Sequence, residues 1–550
     1  MSPIALTPPV EENRTSDLTL SGIEHSLQKT APSVLKSQSN SSTLSDTLTN
    51  GVTNGTKFSN GVATPLAELD ASLLNVTLTT SPRPVPEIGS AEIASQKICT
   101  DHMIQAQWTV QQGWSAPSLQ PYGPLSLMPT ASCLHYATEC FEGMKLYRGF
   151  DGKLRLFRPE LNCNRMLVST NRIALPGFPP QELLKLIVKL CATDGAKWLP
   201  KSRPGAFLYI RPTMIASDPA LGVQRPKEAL LFVILTCFPP MDGSPSGLRL
   251  LASKDDMVRA WPGGFGYAKV GANYGPSLVA QGEARAMGYD QILWLFGENC
   301  NVTEAGASNF FVVWRTREGA LQLVTAPLSE RIILDGITRR SVLELARTRL
   351  EMGWEELEKV EIVERKFSMM EIEEAVQEER LIEAFAAGTA FFIAPVGHIH
   401  FRGMDLAVPM KEGEGGAYTR VIKSWLKGIM WGNEEHEWGY VIDEDMFGRE
   451  VAYELSWVSG FGCGVGIVIL IYGKLFGQVS GSKAFGVGIW AWGLKNLFSF
   501  SGFASQLLIN ANFTELSSSF YESILPPIYL PFVCLLVNAT LFGTAIEIDL

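Results

Sequence analysis

Between Cys99 and Ile442 the chain alternates short, unbroken apolar runs with stretches of helical periodicity, a pattern that points to a mixed α/β fold. Phe207-Leu208-Tyr209-Ile210, Leu230-Leu231-Phe232-Val233-Ile234-Leu235 and Ile292-Leu293-Trp294-Leu295-Phe296 are short enough to read as buried strands. Pro180 opens a helical stretch that places Leu183, Leu184, Ile187, Val188 and Cys191 on one face. Ser368 and Glu371 have the spacing of a capping box ahead of Ile372, Ala375 and Val376. The loop Phe238-Pro239-Pro240-Met241-Asp242-Gly243-Ser244-Pro245 is rich in turn formers. It predicts a linker over 238–246 between a small α/β domain, 86–237, and a larger one, 247–442.

The flanks have a different texture. In residues 1–85, 26 are Ser or Thr and seven are Pro, so a disordered leader is expected there. The leader carries seven acids against five bases, unlike an arginine-rich transit peptide. That favours a cytoplasmic protein, with the mitochondrion as the alternative. Residues 451–550 hold eight charged side chains, and the mean hydropathy of +0.10 for the whole chain comes largely from this tail. Residues 443–550 read as an apolar extension, either membrane-associated or an artefact of a mispredicted gene end. The formal net charge of -10 and the lack of a basic run argue against a nucleic-acid partner. Nine scattered cysteines without a CxxC pair argue against disulfides or structural zinc.

Four segments carry chemistry. In Gly263-Gly264-Phe265-Gly266-Tyr267-Ala268-Lys269-Val270-Gly271-Ala272-Asn273-Tyr274-Gly275, one lysine sits among small residues. A desolvated lysine loses its proton and forms an imine with an aldehyde, whereas a solvated loop lysine does neither. Glu304 is expected in a buried turn between two strand-like runs, paired with a protonated pyridine nitrogen or with a nearby arginine. Asp335 is a plausible N-cap, with free amides at Ile337 and Thr338 for an anion. Ala386-Ala387-Gly388-Thr389-Ala390 makes a small-residue turn suited to a carboxylate or phosphate, though an ordinary tight turn has the same residues. His398 and His400 read as loop histidines rather than as metal ligands.

From about Cys99 to Ile442 the chain resembles the branched-chain amino acid aminotransferases, of the fold-type-IV pyridoxal phosphate enzymes. The motifs run in family order: Thr100-Asp101-His102-Met103, Leu134-His135-Tyr136, Phe141-Glu142-Gly143-Met144-Lys145, Arg155-Leu156-Phe157-Arg158-Pro159, Asn164-Arg165-Met166 and Tyr209-Ile210-Arg211-Pro212. The resemblance implies a two-domain α/β (α+β) enzyme with the cofactor at the domain interface, working as a homodimer. It implies that pyridoxal 5'-phosphate is held by Lys269 as an aldimine. Glu304 would face the pyridine nitrogen and Tyr274 the 3-oxygen. Arg165, Ile337, Thr338 and Thr389 would hold the phosphate.

Tyr136, Phe141 and Tyr209 match walls of the substrate side-chain pocket, and Leu221 and Val223 match residues reaching in from a partner subunit. Arg211, Ala307 and Ala390 match the groups that handle carboxylates. The implied reaction exchanges the amino group between Leu, Ile or Val and 2-oxoglutarate, giving glutamate. Ala307 stands where some relatives have threonine, and Phe391 and Ala394 stand where mammalian members have a CxxC switch. Other readings are a D-amino acid aminotransferase, an aminodeoxychorismate lyase, or a membrane protein with a vestigial catalytic unit.

Overall fold

The structure is a computed structural model that describes residues 56–59, 62–239, 246–390, 392–410, 415–444, 468–472 and 486–490. Most of the expected leader, loop residues 240–245, Phe391 and most of the apolar tail lie outside the described residues. No helix among the described residues is long and apolar enough to cross a membrane.

The apolar runs form two large sheets. Strands of the first are β1 (Asn75–Val76), β2 (Cys99–Thr109), β3 (Gly113–Trp114), β4 (Ser118–Pro121), β5 (Glu139–Phe141), β6 (Met144–Arg148), β7 (Leu154–Phe157), β8 (Phe207–Ala216) and β9 (Glu228–Cys237). The second is built from β10 (Leu248–Ala252), β11 (Gln291–Phe296), β12 (Asn301–Ala305), β13 (Ser308–Arg315), β14 (Leu321–Thr325), β15 (Glu361–Glu364), β16 (Leu381–Gly388), β17 (Phe392–Phe401) and β18 (Met404–Ala407). A late strand, β19 (Gly439–Ile442), returns to the first sheet, which runs β19-β7-β6-β8-β9-β2-β4-β1. The second runs β12-β11-β10-β17-β16-β13-β14-β15, and a further β12–β13 pairing closes six of its strands into a ring. Closure removes the open edges that such strands would otherwise expose.

The long helices are α1 (Pro159–Arg172), α2 (Pro180–Trp198), α3 (Ser277–Ala286), α4 (Ile337–Arg349), α5 (Met369–Gln377) and α6 (Ala417–Trp431). Helix α2 opens at Pro180 and buries Leu183, Ile187, Val188 and Cys191, as the periodicity predicts. The capping box forms at α5, where Glu371 N donates to Ser368 Oγ and Ser368 N donates to Glu371 Oε2. Helix α3 provides the crossover that lets β10 and β11 pair in parallel.

The expected leader extends too far. Leu66, Leu69 and Ala71 are buried, and β1 adds to the first sheet beside β4. Averaged over 85 residues, the Ser/Thr composition hides this short apolar foothold. At the other end Glu444 makes a two-pronged ion pair with fully buried Arg148, at 2.6 and 2.9 Å.

Helix α6 joins the sheets through a buried carboxylate. Glu383 on β16 accepts from Tyr418 N (2.9 Å), Thr419 N (2.8 Å) and Thr419 Oγ1 (2.6 Å), satisfying amides that the helix leaves open at its start. Glu383→Ala strands those donors in the interior. It should cost roughly 2–4 kcal/mol, read as a lowered thermal midpoint of the full chain. An unchanged midpoint would remove Glu383 from the account of how α6 is held.

Candidate active site

Lys269 lies on an irregular segment pinned from two sides. Its N–H donates to Ser169 Oγ on α1 at 2.8 Å, and its carbonyl accepts from Phe141 N on β5 at 3.1 Å. The side chain is half-buried rather than solvated, and Nζ donates to the Tyr274 hydroxyl at 3.2 Å. The Phe141 ring lies 5.0 Å from Nζ and 5.3 Å from the Tyr274 ring.

Two buried ion pairs flank this lysine. Arg165 on α1 donates through Nε and Nη2 to both oxygens of Glu142, at 2.7 and 2.8 Å, and through Nη1 to Asp335 O at 2.8 Å. Glu142 is completely buried and also accepts from Asn162 Nδ2 at 2.8 Å. Burial works against its charge, but the Arg165 guanidinium outweighs burial and holds the carboxyl below the usual range. On the other side Glu304 pairs with Arg259 and receives longer contacts from Leu334 N (3.4 Å) and Asn309 Nδ2 (3.5 Å). Burial pushes the Glu304 carboxyl up, with Arg259 opposing.

Ile337, Thr338 and Thr389 line one small cavity with Gly143 and Asn162. Ile337 and Thr338 occupy the first turn of α4, where amides have no intrahelical acceptor. Arg165 has five N–H donors, and the three bonds above leave two for a further oxygen ligand. This donor set fits a phosphate.

Farther along the same surface the Arg211 guanidinium packs on Phe141 (4.6 Å) and Tyr209 (5.1 Å), and its Nε is buried without a hydrogen-bond partner. Gly143 is required here, because a Cβ would collide with the Tyr209 hydroxyl. Ala390 is half-buried and Ala307 exposed. Ser308, next to Ala307, packs so closely on Gly388 that a Cβ there would collide with Ser308 Oγ. Tyr136 reaches outward and donates to Leu221 O, while Leu221 and Val223 are exposed at 54% and 87%.

Comparison with known proteins decides the family. Residues 139–399 match the model of amino-transferase class IV. The chain is 43% identical to a branched-chain-amino-acid aminotransferase of Monosiga brevicollis over 68% of its own length and 93% of the relative's. It is 43% identical to the mitochondrial enzyme of that name from Schizosaccharomyces pombe, over 66% of this chain and 84% of that one. Identity is again 43% to the cytosolic enzyme from Saccharomyces cerevisiae, over 69% and 99%. The chain belongs to the branched-chain amino acid aminotransferases. This family uses pyridoxal phosphate, acts on amino acids and keto acids, and has members in the cytosol and in mitochondria.

Several local expectations change within this aminotransferase. Glu304 sits on β12 itself, paired to Asn309 across the hairpin, and not in the turn. Gly336 caps α4, while the Asp335 side chain pairs with Arg340. His398 and His400 lie on β17, not in a loop, and both face Asp405, at 3.3 and 2.6 Å. Alternation along a strand puts the two rings on one side. Glu142, Asn162, Arg259 and Asn309 received no role from sequence. Glu142 was visible within its motif, but Arg259 carries no local signal, since what marks it is a contact 45 residues away.

Proposed function

We propose that this enzyme exchanges the amino group between branched-chain L-amino acids (Leu, Ile, Val) and 2-oxoglutarate, with pyridoxal 5'-phosphate bound at Lys269. The observation that carries the reading is the half-buried Lys269 amine beside the Tyr274 hydroxyl, between the Arg165–Glu142 and Arg259–Glu304 pairs. When bound, the cofactor supplies the electron sink for a carbanion at the substrate α-carbon. Lys269 is its attachment point and then the base and acid that moves the α-proton. Tyr274 positions the Lys269 amine. Arg165, the α4 amides at Ile337 and Thr338, and the Thr389 hydroxyl anchor the phosphate. Glu304, with Arg259 balancing its charge, faces the ring nitrogen.

Phe141 and Tyr209 wall the side-chain pocket, where one methylene changes discrimination by only about 1–3 kcal/mol, so Leu, Ile and Val are all accepted. Arg211, with its unpartnered Nε, takes a carboxylate beside Ala307 and Ala390. The exposure of Leu221 and Val223 supports a homodimer in which they cover the neighbouring subunit's pocket. We place the linker between the two domains at 238–246. The acid-bearing composition of residues 1–85 supports a cytoplasmic enzyme.

An amino-donor screen with 2-oxoglutarate tests the assignment. Leucine, isoleucine and valine should each yield glutamate. Turnover of D-alanine without L-leucine would overturn it in favour of a D-amino acid enzyme.

A further inference from the structure

We propose that Phe238 is a positioning residue: through Tyr209 it aims Arg211, and so sets how well the enzyme tells a dicarboxylate from a monocarboxylate of equal length. The proposal rests on the reading above that Arg211 takes a substrate carboxylate. In sequence Phe238 opens the turn-rich loop after β9. In the structure it is half-buried, and its ring is stacked on Tyr209.

Strand geometry explains the contact. Leu208 and Ile210 are buried in the core on one side of β8, so Tyr209 and Arg211 share the other face. In the register of β8 with β9, Tyr209 lies opposite Thr236 and Leu208 opposite Cys237. Phe238 is therefore the diagonal neighbour of Tyr209, two positions past Thr236 on the same face. Thr236 is small and leaves room for one ring to lie over the other. The ring centres are 4.8 Å apart and the planes meet at 26°. The residue before Phe238 is fixed, since Cys237 N donates to Ile98 O at 2.8 Å.

Tyr209 in turn holds Arg211. Its hydroxyl is seated against Gly143 and accepts from Arg211 Nη2 at 3.3 Å, while the guanidinium lies 5.1 Å from its ring centre. Among the described residues this is the only hydrogen bond of Arg211, and its Nε is buried without a partner. A guanidinium aimed by one neutral bond and a ring face is only as well placed as that ring. Two-pronged recognition of a carboxylate is directional, so a tilt of Tyr209 weakens it. Contact with an aliphatic chain is non-directional and tolerates the same tilt. Loss of the Phe238 stack therefore falls on the charged end of a dicarboxylate and spares an apolar one.

The test is calorimetric titration of the cofactor-loaded full chain with glutarate and with pentanoate, which match in chain length and differ in the second carboxylate. Glutarate should bind the parent more tightly than pentanoate. Phe238→Leu keeps apolar bulk without the stack. It should weaken glutarate by about threefold to tenfold, the range an aromatic pair supplies, and leave pentanoate within about twofold. Phe238→Met gives the same reading if the leucine variant does not fold. Phe238→Tyr keeps the ring and should restore the parent affinity. In turnover, kcat/KM for 2-oxoglutarate should fall by the same factor while that for leucine holds. Leucine–2-oxoglutarate turnover of the parent is measured alongside, so failure of the transaminase assignment shows in the parent and not in the glutarate shift of the variants. Equal weakening of both acids, unchanged glutarate affinity, a parent without preference for glutarate, or a tyrosine variant as weak as the leucine one would each overturn the proposal.

Discussion

Lys269→Ala should abolish leucine–2-oxoglutarate transamination. Loss of a positioned proton carrier alone costs on the order of 10²–10⁴ in rate, and this lysine is also the cofactor's point of attachment. Steady-state glutamate release measures the loss. The fold should survive, because the Lys269 contacts that hold the segment are made by its backbone with Ser169 and Phe141. The variant should therefore melt near the parent temperature, while borohydride, which fixes the cofactor to the parent protein, should fix none to the variant. Turnover within tenfold of the parent would exclude Lys269 from the chemistry.

Glu142→Ala should produce the largest effect among residues that do not touch substrate. It leaves the Arg165 guanidinium buried at 8% exposure without its carboxylate, and breaking a buried pair from one side costs about 3–5 kcal/mol. Part of that cost should show as weaker cofactor retention, since Arg165 loses the two bonds that aim it. Dialysis against phosphate buffer, followed by absorbance, reads retention, and thermal melting reads stability.

Glu142→Gln separates charge from shape. The folded carboxyl lies below its reference value of 4.5, so its contribution is fully present above pH 4.5 and is lost as pH falls through the folded value. The stability gap between parent and Glu142→Gln should stay constant from neutral pH to about 5 and narrow only below 4.5. A gap that narrows between pH 8 and 6 would mean that some other group sets it.

Particular residues show how far sequence reading reaches. Strands β8, β9 and β11, helix α2 and the α5 capping box follow from neighbours within a few positions, where periodicity and capping act. The family motifs in order identified the enzyme class and singled out Lys269. By contrast, the Asp335 cap failed because Gly336 takes the position and Arg340 takes the carboxylate. The leader's packed end at Leu66 and Leu69 was lost in an average.

By itself the sequence determined the α/β architecture, the aminotransferase family and the candidate nucleophile, because each is written in local spacing or in ordered motifs. Only the tertiary structure decided which charge answers which. Glu142 meets Arg165 from 23 residues away, and Arg259 meets Glu304 from 45. The physical reason is that an ionic partner is chosen by proximity within a low-dielectric interior, and that proximity is set by how sheets and helices pack rather than by the chain's own order.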